Sequence, residues 1–256
     1  KAMFYVVVYQ FLSVSIGAIG TTAGSQVKNY WAGVQNLQNQ LFSFVGQVLF
    51  AIGLWLVRKY FLDASWRVML LSTAVLLNLI DMPFVYLTVY DVVRNQYFYL
   101  GETVLVEVPA AANFVVSTYV IVEMAEAGNE GLIYGLLTTT YNLGHPVATA
   151  VGNQLFSLFK PALSNSANYV ADTPEFRNTV AASFAVSYVF SFAALLLLPL
   201  LPGQKDEAQR RKRAWPQSTT YAVVTLARLG CGFCYSLTVN ILAMVPETMC
   251  LRFVGG

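Results

Sequence analysis

A bilayer core about 30 Å thick is crossed by roughly 20 helical residues. Stretches of that length with few or no charges fill most of this chain, at 3–24, 38–57, 68–90, 98–124, 131–159, 178–201 and 219–246. Nothing else in the sequence limits the fold as strongly. In lipid every backbone N–H and C=O must be satisfied within the protein, which leaves helices and closed barrels as spanning structures, and segments this long are helical. The expectation is an all-α, polytopic transmembrane helical bundle with about seven spans. Composition agrees: 57% of the residues are hydrophobic and 11% charged, where soluble domains carry about 25% charge. A net charge of +2 gives no argument for nucleic acid as a partner. Three cysteines and no Asn-x-Ser/Thr sequon offer neither a disulfide framework nor a glycosylated ectodomain. A start at Lys1 and an abrupt stop at Gly256 lead us to expect an excerpt from a longer chain.

The basic residues set the expected orientation. With Lys1 in the cytoplasm, alternate connections place Arg58, Lys59, Arg67, Lys205, Arg210, Arg211, Lys212 and Arg213 beside it. Lys28, Arg94, Lys160, Arg177 and Arg252 fall on the other side. Nine against five is the asymmetry the positive-inside rule describes. The RRKR cluster is read first as a topology signal, with anionic lipid head groups as its alternative ligand. Three units follow: a six-helix bundle over 1–201, a basic cytoplasmic loop over 202–217, and an additional helix with a terminal segment over 218–256. The two longer connections, 160–177 and 202–217, read as polar loops. Cys-Gly-Phe-Cys at 231–234 is read as close helix packing, because zinc needs four ligands and the chain has one further cysteine and one histidine. No metal or other cofactor is expected. Arg228 interrupts the last span and is expected to snorkel toward the basic side.

Three spans carry polar stripes at helical spacing. The fifth has Thr138, Asn142, His145, Thr149 and Asn153; the first has Gln10, Ser13, Gly17, Thr21 and Gly24; the second has Asn36, Gln40, Ser43 and Gln47. Such faces turn away from lipid, either to hydrogen-bond between helices or to line a water-filled cavity. Ionisable groups coincide with prolines: Asp81 before Pro83, Glu107 before Pro109, His145 beside Pro146. Proline removes one amide donor and frees the carbonyl four residues earlier, so each pair sets a backbone acceptor near a titratable side chain. Counted along their helices, all three lie roughly 20 to 25 Å from the cytoplasmic ends. Interrupted helices and polar groups at the midplane are how secondary transporters build their sites. Glu107 is the candidate proton carrier. Asp81, His145, Asn142, Thr138, Thr149, Tyr141 and Gln10 are candidates for binding or coupling, while Glu102 and Glu123, nearer their span's ends, read as interfacial.

The segment "EMAEAGNEGLIYGLLTTTYNLG" resembles the junction of the tenth and eleventh helices in the major facilitator superfamily. More closely, "STYVIVEMAEAGNEGLIYGLLTTTYNL", "SWRVML" and "YSLTVNILAMVPETMCLRFVGG" resemble the folate-biopterin transporter family within it. The likeness implies a major-facilitator-type C-terminal half whose N-terminal transmembrane half is missing, and a pterin or folate as the small-molecule solute. One departure stands out. Where the superfamily has a Gly-x-x-x-Asp-x-x-Gly-Arg turn, this chain reads "GLWLVRKYFLDASWR", and Arg58, Lys59, Asp63 and Arg67 are candidates for a replacement ion-pair latch.

The expected function is alternating-access transport in a plasma or organelle membrane by an integral multi-pass carrier, with proton coupling as one mode. A carrier of another solute and a non-transporting receptor are the alternatives. An intramembrane enzyme using His145 is disfavoured, since the sequence shows no nucleophile, base and orienting acid together.

Overall fold

Helix boundaries follow local capping chemistry, and in the computed structural model five of the helical segments are long and apolar enough to cross a membrane. Residues 2–61, 63–125, 128–215, 218–248, 251 and 254 are described; Lys1, Cys250 and Arg252 lie outside them. The α-helices are α1 (Ala2–Gly17), α2 (Ala23–Gln26), α3 (Asn36–Tyr60), α4 (Trp66–Val89), α5 (Gln96–Leu105), α6 (Glu107–Met124), α7 (Glu130–Phe156), α8 (Ser166–Ala171), α9 (Pro174–Ala194), α10 (Lys205–Ala214) and α11 (Thr219–Met244). Asn95 caps α5 by accepting from the Tyr97 N–H at 2.8 Å. Thr173 caps α9, with Pro174 in its first turn, where a missing N–H costs nothing. These five are α3, α4, the α5–α6 pair, α9 with its extension, and α11. The other two of the seven expected spans fall on α1, an apolar helix of 16 residues, and on α7, which is long but more polar.

Two spans differ from uniform helices. The first ends at Gly17 and resumes at Ala23, continuing as a π-helix over Val27–Trp31. In the gap, Thr21 closes the backbone accounts: its N–H donates to Ser187 Oγ at 2.9 Å and its hydroxyl to Ser183 Oγ at 2.8 Å. The fourth span breaks between Leu105 and Glu107, where Pro109 has no N–H to donate to the Leu105 carbonyl. Pro83 and Pro146, by contrast, sit inside continuous α4 and α7. Both connections read as polar loops contain helices, α8 in 160–177 and α10 in 202–217. α10 has Asp206 and Glu207 in its first turn and Arg211, Lys212 and Arg213 in its last, the order that complements the helix dipole.

α1 is central, packed on α7, α9 and the 3₁₀ turn Leu195–Leu200 that extends α9. Gly144 makes this possible, because a Cβ there would lie 2.6 Å from Val14 Cβ. α3 is peripheral and packs on α5 and α6, with its Gly53 against Ala111. α11 leans on α7 and α1. Its Gly232 meets Phe11 and Leu143, the close packing expected of the Cys-Gly-Phe-Cys stretch, whose Cys231 and Cys234 are exposed.

Buried apolar residues form two clusters, one toward each end of the bundle. One gathers Val6, Val57, Trp66, Leu70, Val120, Leu137 and Leu201. The other gathers Ile19, Val27, Trp31, Val89, Phe156, Tyr169, Phe176 and Phe184. At the first end α10 is tied across the bundle: Arg67 pairs with Glu207 at 3.2 Å and Lys205 with Glu123 at 2.8 Å. The Trp66 N–H also donates to the Gly203 carbonyl at 2.7 Å. The partner of Arg67 is thus Glu207 of α10, whereas Asp63, the expected member of the latch, enters no ion pair among the described residues. Arg58 and Lys59 are exposed at the end of α3. Glu123, read as interfacial, is a buttress for α10 and also accepts from Gln209 at 3.1 Å.

At the second end Asp172 takes both Arg94 and Arg177 at 2.6 Å, and the Arg94 guanidinium lies 4.6 Å from the Trp31 ring centroid. Burial alone would raise the Asp172 carboxyl, but the hydrogen bonds from Arg177 and Arg94 outweigh it and hold it at about 2.

Candidate functional site

The level between the two apolar clusters is polar. On α1 the first cluster holds Val6 and Val7 and the second begins at Ile19; Tyr9, Gln10, Ser13 and Gly17, in between, line a cavity of about 460 Å³. The same alternation runs along α4, where Asn78 and Asp81 lie between Leu70 and Val85, and along α7, where Tyr141 and His145 lie between Leu137 and Ala148. Glu102 of α5, Asn113 and Ser117 of α6 and Ser191 of α9 complete the wall. Six helices meet here, and each contributes a polar group.

The wall is ordered by its own hydrogen bonds. Tyr188 donates from its hydroxyl to Asp81 Oδ2 at 2.6 Å, and Tyr188 is itself buried. Asn78 donates to Ser191 Oγ at 2.9 Å and to the Ala74 carbonyl at 2.7 Å. His145 is exposed along the α7 edge of the cavity, with the Tyr141 ring 5.4 Å away in an edge-on arrangement. Gln10 is buried at 5% exposure, and its Oε1 has no hydrogen-bond partner. No Lys or Arg lines this space among the described residues.

Of the residues singled out from the sequence, Asp81, His145, Tyr141 and Gln10 meet at this cavity. Thr138 and Asn142 face a neighbouring hollow between α6 and α7, and Asn142 also faces α11. Thr149 is exposed and donates back to the His145 carbonyl at 3.0 Å. Glu107 is placed elsewhere: its Cγ would lie 3.1 Å from a Cβ at Gly46 of α3, and Glu102 is the carboxylate on the cavity. The reason is angular. Five residues along a helix turn roughly 140°, so these two glutamates cannot share a face. A signal for this is present in the sequence, since Glu102, Val106, Asn113 and Ser117 recur at spacings of 4, 7 and 4. The second-span stripe of Asn36, Gln40, Ser43 and Gln47 is also absent from the wall, because α5 and α6 stand between α3 and the centre. The first-span stripe divides: Gln10, Ser13 and Gly17 line the cavity, and Thr21 hydrogen-bonds to α9.

A polytopic helical bundle with interrupted spans and a polar, acidic cavity between two apolar layers is the build of a membrane solute carrier. The chain belongs to the BT1 family, the folate-biopterin transporters, whose sequence profile matches residues 4–217. It is an integral, multi-pass membrane protein and a membrane transporter of the folate-biopterin type. The match ends before α11, so the resemblance at 235–256 lies beyond it. No curated protein and no solved structure matches significantly.

Proposed function

We propose that this chain is the C-terminal half of a major-facilitator-type carrier that moves a pteridine, folate or related small organic solute by alternating access, coupled to protons. The observation that carries the reading is the pairing of Asp81 and Glu102 in one cavity with His145, amides, hydroxyls and tyrosines and, among the described residues, no Lys or Arg. A pterin presents an amino-pyrimidinone edge whose parallel N–H donors suit a carboxylate. Tyr188 occupies one acceptor site of Asp81; a carboxylate has about four. The flat ring can stack on Tyr9 or Tyr141, and about 460 Å³ lies within the usual range of small-molecule sites. Folate's anionic glutamate tail finds no Lys or Arg here, so its partner is assigned to the N-terminal half. Proton coupling is assigned to the Asp81 and Glu102 pair rather than to Glu107, which rests on α3.

The test is uptake of labelled pterin and folate into vesicles holding the full-length protein, with an imposed pH gradient. Saturable, gradient-driven accumulation that Asp81→Asn weakens is expected. Binding without passage across the membrane would favour a receptor, and accumulation of neither compound would point to a different solute.

A further inference from the structure

At the end of the bundle where Arg67 pairs with Glu207, α10 divides its charges between two faces. On the inner face Ala208 is buried and the charges around it are engaged. Lys205 pairs with Glu123, Arg211 with Glu207 and the Leu200 carbonyl, and Lys212 donates to the Ala125 carbonyl. On the opposite face Asp206, Arg210 and Arg213 fall within an arc of about 60°. All three are exposed, and none enters an ion pair among the described residues, although Asp206 and Arg210 have the spacing at which such pairs form along a helix. With Gln209 and Ala214 they line a shallow hollow of about 410 Å³. The basic run 210–213 therefore has two uses: its middle members hold the helix on the bundle, and its outer members point away from it. α10 runs between Leu200, the last residue of one membrane-crossing segment, and Thr219, the first of the next, so both of its ends lie within a few residues of the bilayer. Trp215, directly after it, packs on the Tyr5 ring with centroids 5.1 Å apart, and these two residue types concentrate at the level of lipid head groups.

We infer that the outer face of α10 binds the head group of a phosphatidylserine-type lipid in the leaflet at that end, with Arg210 and Arg213 on its phosphate and carboxylate and Asp206 on its ammonium. Charge complementarity selects this head group. The face offers two cations and one anion, and a phosphoserine head group offers two anions and one cation. A phosphoglycerol head group leaves Asp206 against an anion. Phosphocholine supplies one anion for two arginines and an ammonium with no N–H to donate. Each guanidinium presents a planar fork of donors that fits an oxyanion through two parallel hydrogen bonds. A lipid held here is linked through α10 to Arg67 of α4 and Glu123 of α6. The site shares no residue with the central cavity and holds for any solute the carrier moves.

The test titrates purified full-length protein in detergent with short-chain phosphatidylserine, phosphatidylglycerol and phosphatidylcholine, reading half-saturation from the lipid-dependent rise in unfolding temperature. Phosphatidylserine is expected to half-saturate at a concentration about 5-fold below phosphatidylglycerol, with phosphatidylcholine weaker still. Arg210→Gln and Arg213→Gln should each weaken phosphatidylserine by about 5-fold or more. Asp206→Asn should bring the serine and glycerol lipids together. Arg58→Gln, which removes another exposed cation at the same end, should change neither. The unfolding temperature without lipid reports that each variant is folded. Where a glutamine variant does not fold, Arg213→Lys keeps the charge without the fork and should still weaken phosphatidylserine. Equal half-saturation by the serine and glycerol lipids, or unchanged binding by the arginine variants, overturns the inference. So does an equal rise with glycerophosphoserine or inorganic phosphate, which would mark a site for a free ion. Stabilisation by a poly-glutamate peptide and by none of the lipids would give the face to an acidic protein segment and overturn it as well.

Discussion

Glu102 and Glu107 are the same residue type on one interrupted span, yet only the first lines the cavity, with Asp81 across from it. The proposed proton coupling is therefore assigned to these two carboxyls on one cavity. Glu107 packs on Gly46 of α3. In the vesicle assay, Glu102→Gln is expected to abolish pH-driven accumulation while retaining exchange of solute across the membrane, because the amide imitates the permanently protonated acid. Glu107→Gln should still accumulate solute. The opposite pattern would place coupling at Glu107. A second prediction concerns the brace on Asp81. Tyr188→Phe removes a 2.6 Å hydrogen bond and should weaken solute half-saturation by about 10-fold or more, the usual worth of a bond to a charged group; an unchanged value would show that Asp81 needs no positioning.

Among the elements, the broken first span and the two ion-paired ends do different work. Gly144 brings α1 within contact of α7, and Gly152 leaves room for the Gly20 backbone, whose carbonyl oxygen would lie 3.2 Å from a Cβ there. The seam thus holds the gap in the first span at a fixed place, with Thr21 bonded to α9. At one end Arg94, Asp172 and Arg177 join the α4–α5 connection to the start of α9. The Asp172 carboxyl is held at about 2, below its ordinary 3.8, so its contribution is complete above about pH 4 and is lost as the pH falls through about 2. Asp172→Asn should therefore cost about 1–2 kcal/mol at neutral pH, allowing for solvent screening of a partly exposed cluster. Thermal unfolding in detergent should show that deficit at pH 7 and a shrinking one as the pH is lowered toward 2. A deficit independent of pH would mean the loss is one of packing.

For the whole molecule, contacts divide the connections between two ends. The segment before α4 meets the one before α10, while Trp31 donates to the Tyr169 carbonyl at the other end. Cysteine labelling from one side of a sealed membrane should therefore reach positions 58–67 and 205–213 together and positions 160–177 only from the opposite side. Labelling of both groups from the same side would refute this arrangement. The spans themselves were legible in the sequence, because lipid imposes length and apolarity on each helix separately and leaves a local record of both. Polar stripes were legible for the same reason, as periodicity along one helix. Which stripe reaches the centre was not: α3 carries as regular a stripe as α1, and only the packing of α5 and α6 in front of it keeps it out. Nor do three prolines of equal sequence standing tell which of them breaks its helix. α4 and α7 run through Pro83 and Pro146, while the span around Pro109 divides. The sequence by itself determined a helical, multi-span membrane protein with polar groups at mid-depth. The tertiary structure decided that Asp81, Glu102, Gln10 and His145 share one cavity, because facing is set by contacts between helices distant in the chain, and no spacing within one helix encodes its neighbour.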